Sequence, residues 1–494
     1  MHGAFGGAKQ RLARQGRACR KINGEPAVKN RRSIARRGAS FEAFSSHAEL
    51  YAMGKRLREK CPLESHAVWR PARNRPNPLQ LLEESNKGRI PELIPIRYGR
   101  MMRSPFTFYR GTALNMAADL ATTPVSGLRV QACGDCHLCN FGGFATPERR
   151  VIVDINDLDE TLPAPWEWDV KRLAASFVLA GRNNGHSEAN ARGAALAAVR
   201  SYRKSMADFS QMRVLDIWYS SSDLRQLIAS FPDKATRQRG QRRLEKARRR
   251  CVVEHDYPKL VTTAGAGPVI KDNPPLIYHP REQGRKEFNA SIQKAFAAYR
   301  ESLPEHRRLV LDCYKFKDIA VKVVGVGSVG TVCAVMLTMA SENDPLFLQV
   351  KQARASVLEP YAGKSAYANH GQRVVVGCKL VQSASDLFLG WAKGPGGRHF
   401  YVRQLRDMKI NPLVELFPQR VLRHYAKVCG WILARSHARC GHPAMISGYM
   451  GKSNRFDKAI ADFSIAYANQ SERDHKTLTK AVRAGKVEAF IEDA

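Results

Sequence analysis

Hydrophobic spacing divides the globular part of the chain, which begins near Phe41, into helical and extended stretches. From position 169 to about 310, apolar residues recur every three or four positions, as in DVKRLAASFVLAGR, and this spacing predicts helices. Shorter elements precede that region. They are loops and short helices over 66–105, a helix over 112–121, and strands over 128–133 and Val151–Ile155.

The pattern changes after Phe316, where short apolar stretches are bounded by Gly, Pro, Asn or Asp. Such stretches predict β-strands. Five are expected: DIAVKVVG, GTVCAVMLTMA, PLFLQVKQA, LFLGWAKG and HFYVRQL. One helical stretch, roughly 371–385, lies among them, and the pattern is helical again from Pro418 to the end. The chain therefore reads as helical, then strand-rich, then helical, which predicts an α+β protein.

Composition excludes several classes of protein and leaves the choice of partner open. Of the 494 residues, 44% are hydrophobic and 25% are charged, which is ordinary for a folded protein and excludes a wholly disordered, collagen-like or coiled-coil chain. The balance of 80 Lys and Arg against 45 Asp and Glu gives a formal charge of +35. Such a charge attracts nucleic acid, nucleotides, phosphorylated metabolites or acidic membranes, and it does not choose among them.

Two basic stretches could be polyanion-binding segments. Residues 1–40 contain eleven Lys and Arg and a single acid, Glu25. A nucleic-acid or transit-peptide arm is one interpretation, and a solvated, disordered tail is the favoured one. Residues 234–250 contain nine basic residues and one acid, Glu245. Because this stretch has no aromatic residues for base stacking, a solvated helix face is favoured over a nucleic-acid-binding helix.

Cysteine usage and hydropathy predict a cytoplasmic protein. Eleven scattered cysteines do not form a disulfide framework, so reduced thiols are expected. The longest charge-free run, 323–340, is crowded with glycine in its first half. Two buried strands around a glycine turn explain this run better than a membrane span. No secretory signal is recognisable at the start of the sequence, and no membrane partner is expected.

The first motif with chemical content is GDCHLCNF followed by VIVDINDLDE. Asp135, Asn140 five residues later and Asp154 on a short strand have the spacing used in phosphoryl transfer. Asp135 would orient or deprotonate an acceptor hydroxyl, and Asn140 and Asp154 would bind Mg²⁺. Asp157 and Asp159 could hold a second metal or contact the substrate. An Asp- and Asn-rich turn with local hydrogen bonds is the alternative.

The second motif is a Gly-rich segment between two predicted strands. It contains Gly325, Gly327, Ser328 and Gly330, and Lys351 lies on a later strand. Backbone N–H groups of such a turn approach nucleotide phosphates, and a Lys on the third strand reaches them. No Gly-Lys-Ser/Thr follows, so the segment is not a Walker A loop. A Gly-rich hairpin that binds no ligand remains the alternative.

Other residues are interpreted mainly as structural. Cys133, Cys136 and Cys139 have iron–sulfur or zinc spacing, but a metal there would obstruct the acceptor, so packed side chains are favoured. A pairing of Glu359 with Lys351 is weighed against a surface Glu, which is preferred. The remaining interpretations concern Asp169, expected to cap a helix start and to anchor the metal loop, and His437, expected to be a packing residue.

These motifs resemble a large bacterial family of domains of unknown function, number twenty-two fifty-two in that series. Further matching stretches, in the family's order, are PIRYGRMMRSPFTFYRG, VGVGSVGT, PLFLQVKQA, LFLGW, FYVRQLRDMK and the helix around LARSHAR. The resemblance covers roughly residues 50–485. It implies a protein-kinase-like or aminoglycoside-phosphotransferase-like fold, with Asp135 as catalytic base and Asn140 and Asp154 as metal ligands. Cys136 and Cys139 depart from the Ala and Ser usual in the family.

The order of the motifs implies a circular permutation of the two-lobed kinase-like fold. The catalytic loop precedes the Gly-rich segment, and the LARSHAR helix, which resembles one that normally precedes the catalytic loop, lies near the C-terminus. The expected parts are a basic disordered tail over 1–45, a helical catalytic lobe over 46–315, a β-rich nucleotide-binding lobe over 316–407 and C-terminal helices over 408–494 that complete the catalytic lobe.

The function expected from sequence is an ATP- and Mg²⁺-dependent phosphotransferase acting on an unknown hydroxyl of a small molecule or protein. Nucleotidyl transfer uses the same parts with ATP reversed. A non-catalytic nucleic-acid-binding or regulatory protein, or a pseudokinase that binds nucleotide without turnover, is the alternative. Non-specific polyanion binding through the basic segments is compatible with each of these functions.

Overall fold

Helices contribute most of the secondary structure. The computed structural model describes residues 46–249, 257–264, 267–279, 285–323, 325–405 and 408–492. The predicted tail over 1–45 lies outside them. The first nine helices are α1 His47–Arg56, α2 Pro78–Asn86, α3 Ile94–Met102, α4 Pro105–Gly111, α5 Ala113–Leu120, α6 Trp166–Asn183, α7 Glu188–Ser210, α8 Val214–Tyr219 and α9 Leu224–Ser230. The others are α10 Lys234–Arg249, α11 Tyr257–Leu260, α12 Arg285–Glu301, α13 Glu305–Asp312, α14 Glu359–Ala362, α15 His370–Val381, α16 Gln419–Cys440, α17 Pro443–Met450 and α18 Arg455–Arg483.

The strands form one large antiparallel sheet and three two-stranded ones, so the fold is α+β as expected. The strands are β1 Arg129–Ala132, β2 Phe141–Ala145, β3 Val151–Ile155, β4 Leu162–Pro165, β5 Val261–Ala264, β6 Gly267–Ile270, β7 Ile277–Tyr278, β8 Lys315–Lys322, β9 Cys333–Met339, β10 Pro345–Ala353, β11 Gly390–Lys393 and β12 His399–Gln404. The large sheet has the order β11-β12-β10-β9-β8-β7. The pairs β1–β4, β2–β3 and β5–β6 form the small sheets.

The centre of the large sheet is apolar on both faces, so its strands lack the alternation of a half-exposed sheet. Every residue of β9, CAVMLTM, is buried. Ala334 and Met336 pack into a cluster with Tyr299 of α12, while Val335 and Leu337 face a second cluster. Strands covered on both sides are expected to be continuous hydrophobic runs. This explains why the five strands could be located from sequence although their faces could not.

Helices from both ends of the described chain build one core. Helices α6 and α7 pack against α16 and α18. Trp166, the first residue of α6, stacks on Tyr202 of α7 with ring planes 3° apart. Arg75 joins Asp119 and Asp474, which lie on α5 and α18, through ion pairs of 2.7 and 2.6 Å. Residues distant in sequence therefore support a single helical body.

The expected elements are found, with additions that sequence spacing did not reveal. All five predicted strands are present as β8 to β12, and the predicted helix near 371–385 is α15. The stretch expected to be helical up to about 310 is wrong in part, because it contains β5, β6 and β7. These strands have two to four residues, too few to produce a recognisable two-residue alternation. Among the described residues, no helix has the length and apolar content needed to cross a bilayer.

Candidate functional site

The segment between β1 and β2 is held in place by a single carboxylate of α6. Asp169 accepts the backbone N–H of Cys133 at 2.6 Å and that of Gly134 at 3.1 Å. Gly134 has a φ of +83°, a conformation that favours glycine. His437 is fully buried, with Nε2 3.2 Å from Asp169 and Nδ1 2.8 Å from the Tyr202 hydroxyl. Asp169 thus anchors this loop rather than capping its own helix, and His437 is a packing residue as expected.

Asp135 lies in this loop beside a buried guanidinium. Arg172 of α6 donates from Nε to Asp135 Oδ1 at 2.6 Å, and the Asp135 side chain is 21% exposed. The Asp135 carboxylate raises the pKa of Arg172 above its usual value, although burial opposes this shift. His137 lies 3.9 Å from Asp135 Oδ2. Burial lowers the pKa of His137 to about 4, so its ring is neutral near pH 7.

The β2–β3 hairpin brings Asn140, Asn156 and Asp157 close to the loop that contains Asp135. Asn140 donates from Nδ2 to the Asp135 carbonyl at 2.8 Å, and its own carbonyl accepts the N–H of Asn156 at 2.7 Å. The next residue, Asp157, therefore emerges beside the loop that contains Asp135. The Asn140 Oδ1 atom accepts no hydrogen bond from any residue that the structure describes, so it is available to a ligand.

Lys351 of β10 joins this group from the large sheet. Its Nζ lies 2.5 Å from Asp159 Oδ2 and 3.5 Å from Asp157 Oδ2, and only 4% of the side chain is exposed. Tyr401 of β12 donates its hydroxyl to Asp159 Oδ1 at 2.7 Å. Asp157 is the more exposed of the two acids, at 38%. A buried cation thus faces two carboxylates that come from a different part of the fold.

The two carboxylates near Lys351 differ in their affinity for protons. Burial opposes ionisation of Asp157, but Lys351, Arg403 and Lys409 together hold its pKa below the usual value. Burial and the charge of Asp157 raise the pKa of Asp159, and Lys351 offsets this only in part. Asp157 is therefore the carboxylate that stays ionised and is partly open to solvent.

The Gly-rich segment closes over the same region. Gly325 and Gly330 have φ values of +70° and +84°, which glycine adopts without strain. A Cβ added at Gly327 would lie 3.4 Å from the Arg110 carbonyl oxygen. The Gly330 carbonyl accepts the N–H of Ile90 at 2.7 Å. The segment is thus a tight turn held against the helical body by the chain that precedes α3.

Two adjoining cavities meet at this point. The first, of about 310 Å³, is lined by Lys351, Gln349 and Arg403. The second, of about 270 Å³, is lined by Asp135, Asn140, His137 and Gly327. The cavities share Asp157, Gly325 and Ser328. Most of the residues singled out from sequence therefore line one or both of these adjoining cavities, and Gly330, which packs against Arg89, lines neither cavity.

Asp154 also lines neither cavity, and the structure does not support its predicted role as a metal ligand. Its carboxylate is fully buried; Oδ1 pairs with Arg435 of α16 at 2.7 Å and accepts its neighbour's N–H. Oδ2 accepts the N–H and the hydroxyl of Ser383, both at 2.8 Å. With both oxygens used and no contact with either cavity, Asp154 links β3 to α16. Asp157, in contrast, lines both cavities.

The structure also shows the surroundings of Glu359 and of the cysteines singled out from sequence. Glu359 lies near His370, and Lys351 pairs with Asp157 and Asp159 instead. The described cysteines are all free thiols. Ligating atoms of Cys133, Cys136 and Asp169 lie within 4.8 Å of one another, and all three residues are buried. Both Asp169 oxygens already accept backbone hydrogens, so packing stays the favoured interpretation of these buried side chains.

Several residues of the site carried no signal in the sequence. Arg172 and Tyr401 donate to Asp135 and Asp159, and Arg403 donates to the Asn156 carbonyl beside Asp157. All three belong to no motif of chemical spacing, and each comes from an element predicted only as a helix or strand. Glu160 lines the second cavity, and burial raises its pKa to about 7. The spacing of acids alone does not show which of them face a cavity.

Comparison with known proteins gives a family without an assigned activity. Residues 89–481 match the model of a family described as an uncharacterized protein conserved in bacteria, DUF2252. The chain belongs to the DUF2252 family. No curated protein and no solved structure matches it. The residues matched to the DUF2252 model include Asp135, Asn140, Asp157, the Gly-rich segment and Lys351.

Proposed function

We propose that this DUF2252 protein is an ATP- and Mg²⁺-dependent phosphotransferase with a circularly permuted, two-lobed protein-kinase-like fold. The observation that carries this function is the meeting of Lys351, Asp157 and the Gly-rich turn at the boundary of two cavities, one of which contains Asp135. Its unpaired thiols fit a cytoplasmic location.

The arrangement of the large sheet supports a nucleotide-binding lobe. The Gly-rich turn joins β8 to β9, Lys351 lies on β10, the third strand of this run, and α15 follows before β11. Protein kinases have a Gly-rich loop over the phosphates, a Lys on the third strand and a helix after it. Their helix supplies a Glu to the Lys, whereas Asp157 and Asp159 occupy that position beside Lys351 here.

The packing of α16 supports the permutation. At its end, the Cys440 Sγ lies 3.8 Å from the Gln131 carbonyl of β1, the strand that leads into the Asp135 loop. The helix that in unpermuted relatives would precede the catalytic loop is therefore adjacent to it in space, although it follows about 300 residues later in sequence. Connecting that helix directly to β1 would give the usual chain order.

The second cavity offers the parts needed for transfer to a hydroxyl. Asp135 would orient the acceptor and take its proton as the acceptor oxygen bonds to the γ-phosphorus. The bond from that phosphorus to the bridging oxygen breaks, and ADP leaves with the electron pair. Lys351 and the N–H groups of the Gly-rich turn would hold the phosphates. Positioning and charge compensation would supply most of the acceleration.

Asn140 and Asp157 fit a magnesium ion. Asn140 Oδ1 and the ionised, partly exposed Asp157 present hard oxygen donors to the space that the two cavities share. When bound, Mg²⁺ would neutralise charge on the nucleotide phosphates. Asp159, held by Lys351 and Tyr401, would keep Lys351 in place between the metal site and the phosphates.

ADP production from ATP tests this function. Purified protein is incubated with ATP, Mg²⁺ and a pool of hydroxylated small molecules, and ADP is quantified. We expect Asp135→Asn to lower turnover by about 10²- to 10⁴-fold, the usual contribution of a general base. The control is Asp462→Asn, an exposed acid paired with Arg192 on the surface, which should retain wild-type turnover. Equal turnover by wild type and Asp135→Asn contradicts the assigned chemistry.

A further inference from the structure

The cavity that contains Asp135 has a wall of arginines, formed by Arg89, Arg97, Arg110 and Arg354. All four line this cavity and none lines the neighbouring one that contains Lys351. Arg97 and Arg110 come from α3 and α4, Arg89 precedes α3, and Arg354 follows β10. The wall therefore lines the cavity that contains Asp135, which the Gly-rich turn also lines, and not the cavity that contains Lys351.

The guanidinium groups are fixed by neutral oxygens. Arg354 donates to the carbonyls of Ser85 and Lys87 at 3.0 and 2.6 Å, and Arg89 donates to the same Ser85 carbonyl at 2.9 Å. Arg97 donates to the Gly111 carbonyl at 2.9 Å and to the side chain of Asn86. Within the part of the chain that the structure describes, none of the four forms an ion pair with a carboxylate. The four guanidinium groups are thus positioned without a directly paired carboxylate, in a cavity that Glu84, Asp135, Asp157, Asp159 and Glu160 also line.

Two of the arginines have unused donors. The Arg110 side chain makes no hydrogen bond or ion pair with another described residue, and its Nε is buried without a partner. Arg97 is 1% exposed, and its Nε is also buried without a partner. Buried polar atoms are rarely left without a partner unless a ligand, ion or water completes them. Both side chains line the cavity, and the guanidinium of the half-buried Arg110 has no acceptor among the described residues, so a ligand in the cavity can supply one.

Clustering like charges in a buried place is unfavourable unless an anion joins them. Burial lowers the pKa of Arg89, and the nearby charges of Arg97 and Arg354 lower it further, with Glu160 opposing. Burial likewise lowers the pKa of Arg97 to about 10. An anion with several oxygen acceptors would reverse both effects, because guanidinium forks match phosphate oxygens in geometry and charge.

We propose that this arginine wall binds the phosphate group of the acceptor, so that the substrate is a small alcohol that already carries a phosphomonoester. The phosphate would sit against Arg110 and Arg354 and direct a free hydroxyl of the same molecule toward Asp135. This inference rests on the proposed function for the role of Asp135, but the binding of the anion does not depend on nucleotide.

Binding without nucleotide tests the anion site. We would measure dissociation constants for D-glucose 6-phosphate, inorganic phosphate and D-glucose by calorimetry at constant ionic strength. The wild type should bind the two phosphates and not the neutral sugar. Arg110→Gln and Arg354→Gln should each weaken phosphate binding at least tenfold, and Arg110→Lys should recover part of the loss. Arg242→Gln, an exposed arginine of α10, is the matched control and should change nothing.

The results of these binding measurements distinguish failure of the proposed anion site from failure of the proposed phosphotransferase function. Equal affinity for D-glucose and D-glucose 6-phosphate, or equal losses in Arg242→Gln and Arg110→Gln, would overturn it. Arginine variants that weaken ATP binding but not phosphate binding would also overturn it, because the wall would then serve the nucleotide. Arginine-dependent phosphate binding in a protein that binds no ATP would sustain the anion site and remove the proposed function. Melting temperatures of the unliganded variants verify that they fold.

Discussion

Asp154 and Asp157 are three residues apart and have opposite environments. Asp154 lies inside β3 with both oxygens bound to Arg435, Ser383 and its neighbour's N–H. Asp157 follows the strand and faces two cavities. Sequence spacing places several acids near the end of the hairpin but cannot show which one has a buried cation as its partner. Arg435, which decides this, lies 281 residues from Asp154.

Glu160 makes stability depend on pH in a predictable direction. Burial raises its pKa to about 7 from an ordinary value of 4.5, so the folded state holds this proton where the unfolded state has lost it. Stability from this group is therefore complete below about pH 4.5 and is lost as pH rises through 7. Glu160→Gln removes the effect, and the variant should gain about 1–3 kcal/mol over wild type between pH 5 and pH 8.

Urea unfolding of both proteins at the two pH values measures this difference, and subtracting the wild type from the variant cancels the other titrating groups. A gap between the two proteins that is equal at pH 5 and pH 8 would mean that the Glu160 proton is held no more tightly in the folded state. The amide retains an oxygen to accept the Val357 N–H, so local structure should persist.

At the scale of elements, α15 connects the large sheet to the site. Arg373 of α15 donates to the carbonyls of Thr161, Asp159 and Arg354 at 2.6 to 2.8 Å. The helix can approach β12 because position 371 is glycine: a Cβ there would overlap the Phe400 carbonyl oxygen. The position of this helix therefore affects both the acids near Lys351 and one arginine of the second cavity.

Gly371→Ala should displace α15 from β12. We expect a loss of about 1–3 kcal/mol in the free energy of unfolding, as for other overpacked sites, together with weaker ATP binding. Gly193→Ala in α7 is the matched control, because no atom lies within 4 Å of its added Cβ. Higher helix propensity should make that variant about 0.5–1 kcal/mol more stable. Equal melting-temperature shifts in both variants would refute the close packing assigned to Gly371.

Local patterns predicted elements better than they predicted pairings. The runs PLFLQVKQA and CAVMLTM identify strands by hydrophobicity alone, and Lys351 could be placed on one of them. The short strands β5 to β7 were not predicted, because a stretch of two to four residues is too short to show a two-residue alternation. The hairpin β2–β3 was seen only in its second strand, since Gly142 and Gly143 in FGGFA reduce the strand signal of the first.

At the scale of the whole molecule, the site forms where distant segments meet. The acids come from 135–160, Lys351 from the large sheet and the arginine wall from positions 89, 97, 110 and 354. Motif spacing reveals the acids, and also Lys351 together with the Gly-rich segment, because the members of each motif are close in sequence. The wall has no spacing of its own, so only the fold reveals it. In a chain with a net charge of +35, these four arginines also do not stand out among the many other basic residues.

The high charge makes specificity the decisive question for nucleotide binding. Binding of polyanions to surface cations weakens steeply with salt, whereas a buried pocket that uses Lys351 and Asp157 is screened much less. A response to ATP that requires Mg²⁺ and survives raised salt therefore distinguishes a kinase-like site from general attraction to anions.

The measurement that tests the central claim most directly is the melting temperature against ATP concentration, with and without Mg²⁺, at low and raised salt. It compares wild type, Asp157→Asn and Asp154→Asn. A ligand at 100 times its Kd adds about 2.7 kcal/mol to the folded state. The account predicts Mg²⁺-dependent stabilisation of the wild type that Asp157→Asn abolishes. Asp154→Asn should melt lower, since breaking a buried ion pair costs about 3–5 kcal/mol, yet keep its response to ATP. Stabilisation independent of Mg²⁺, or lost in Asp154→Asn and kept in Asp157→Asn, would contradict the site.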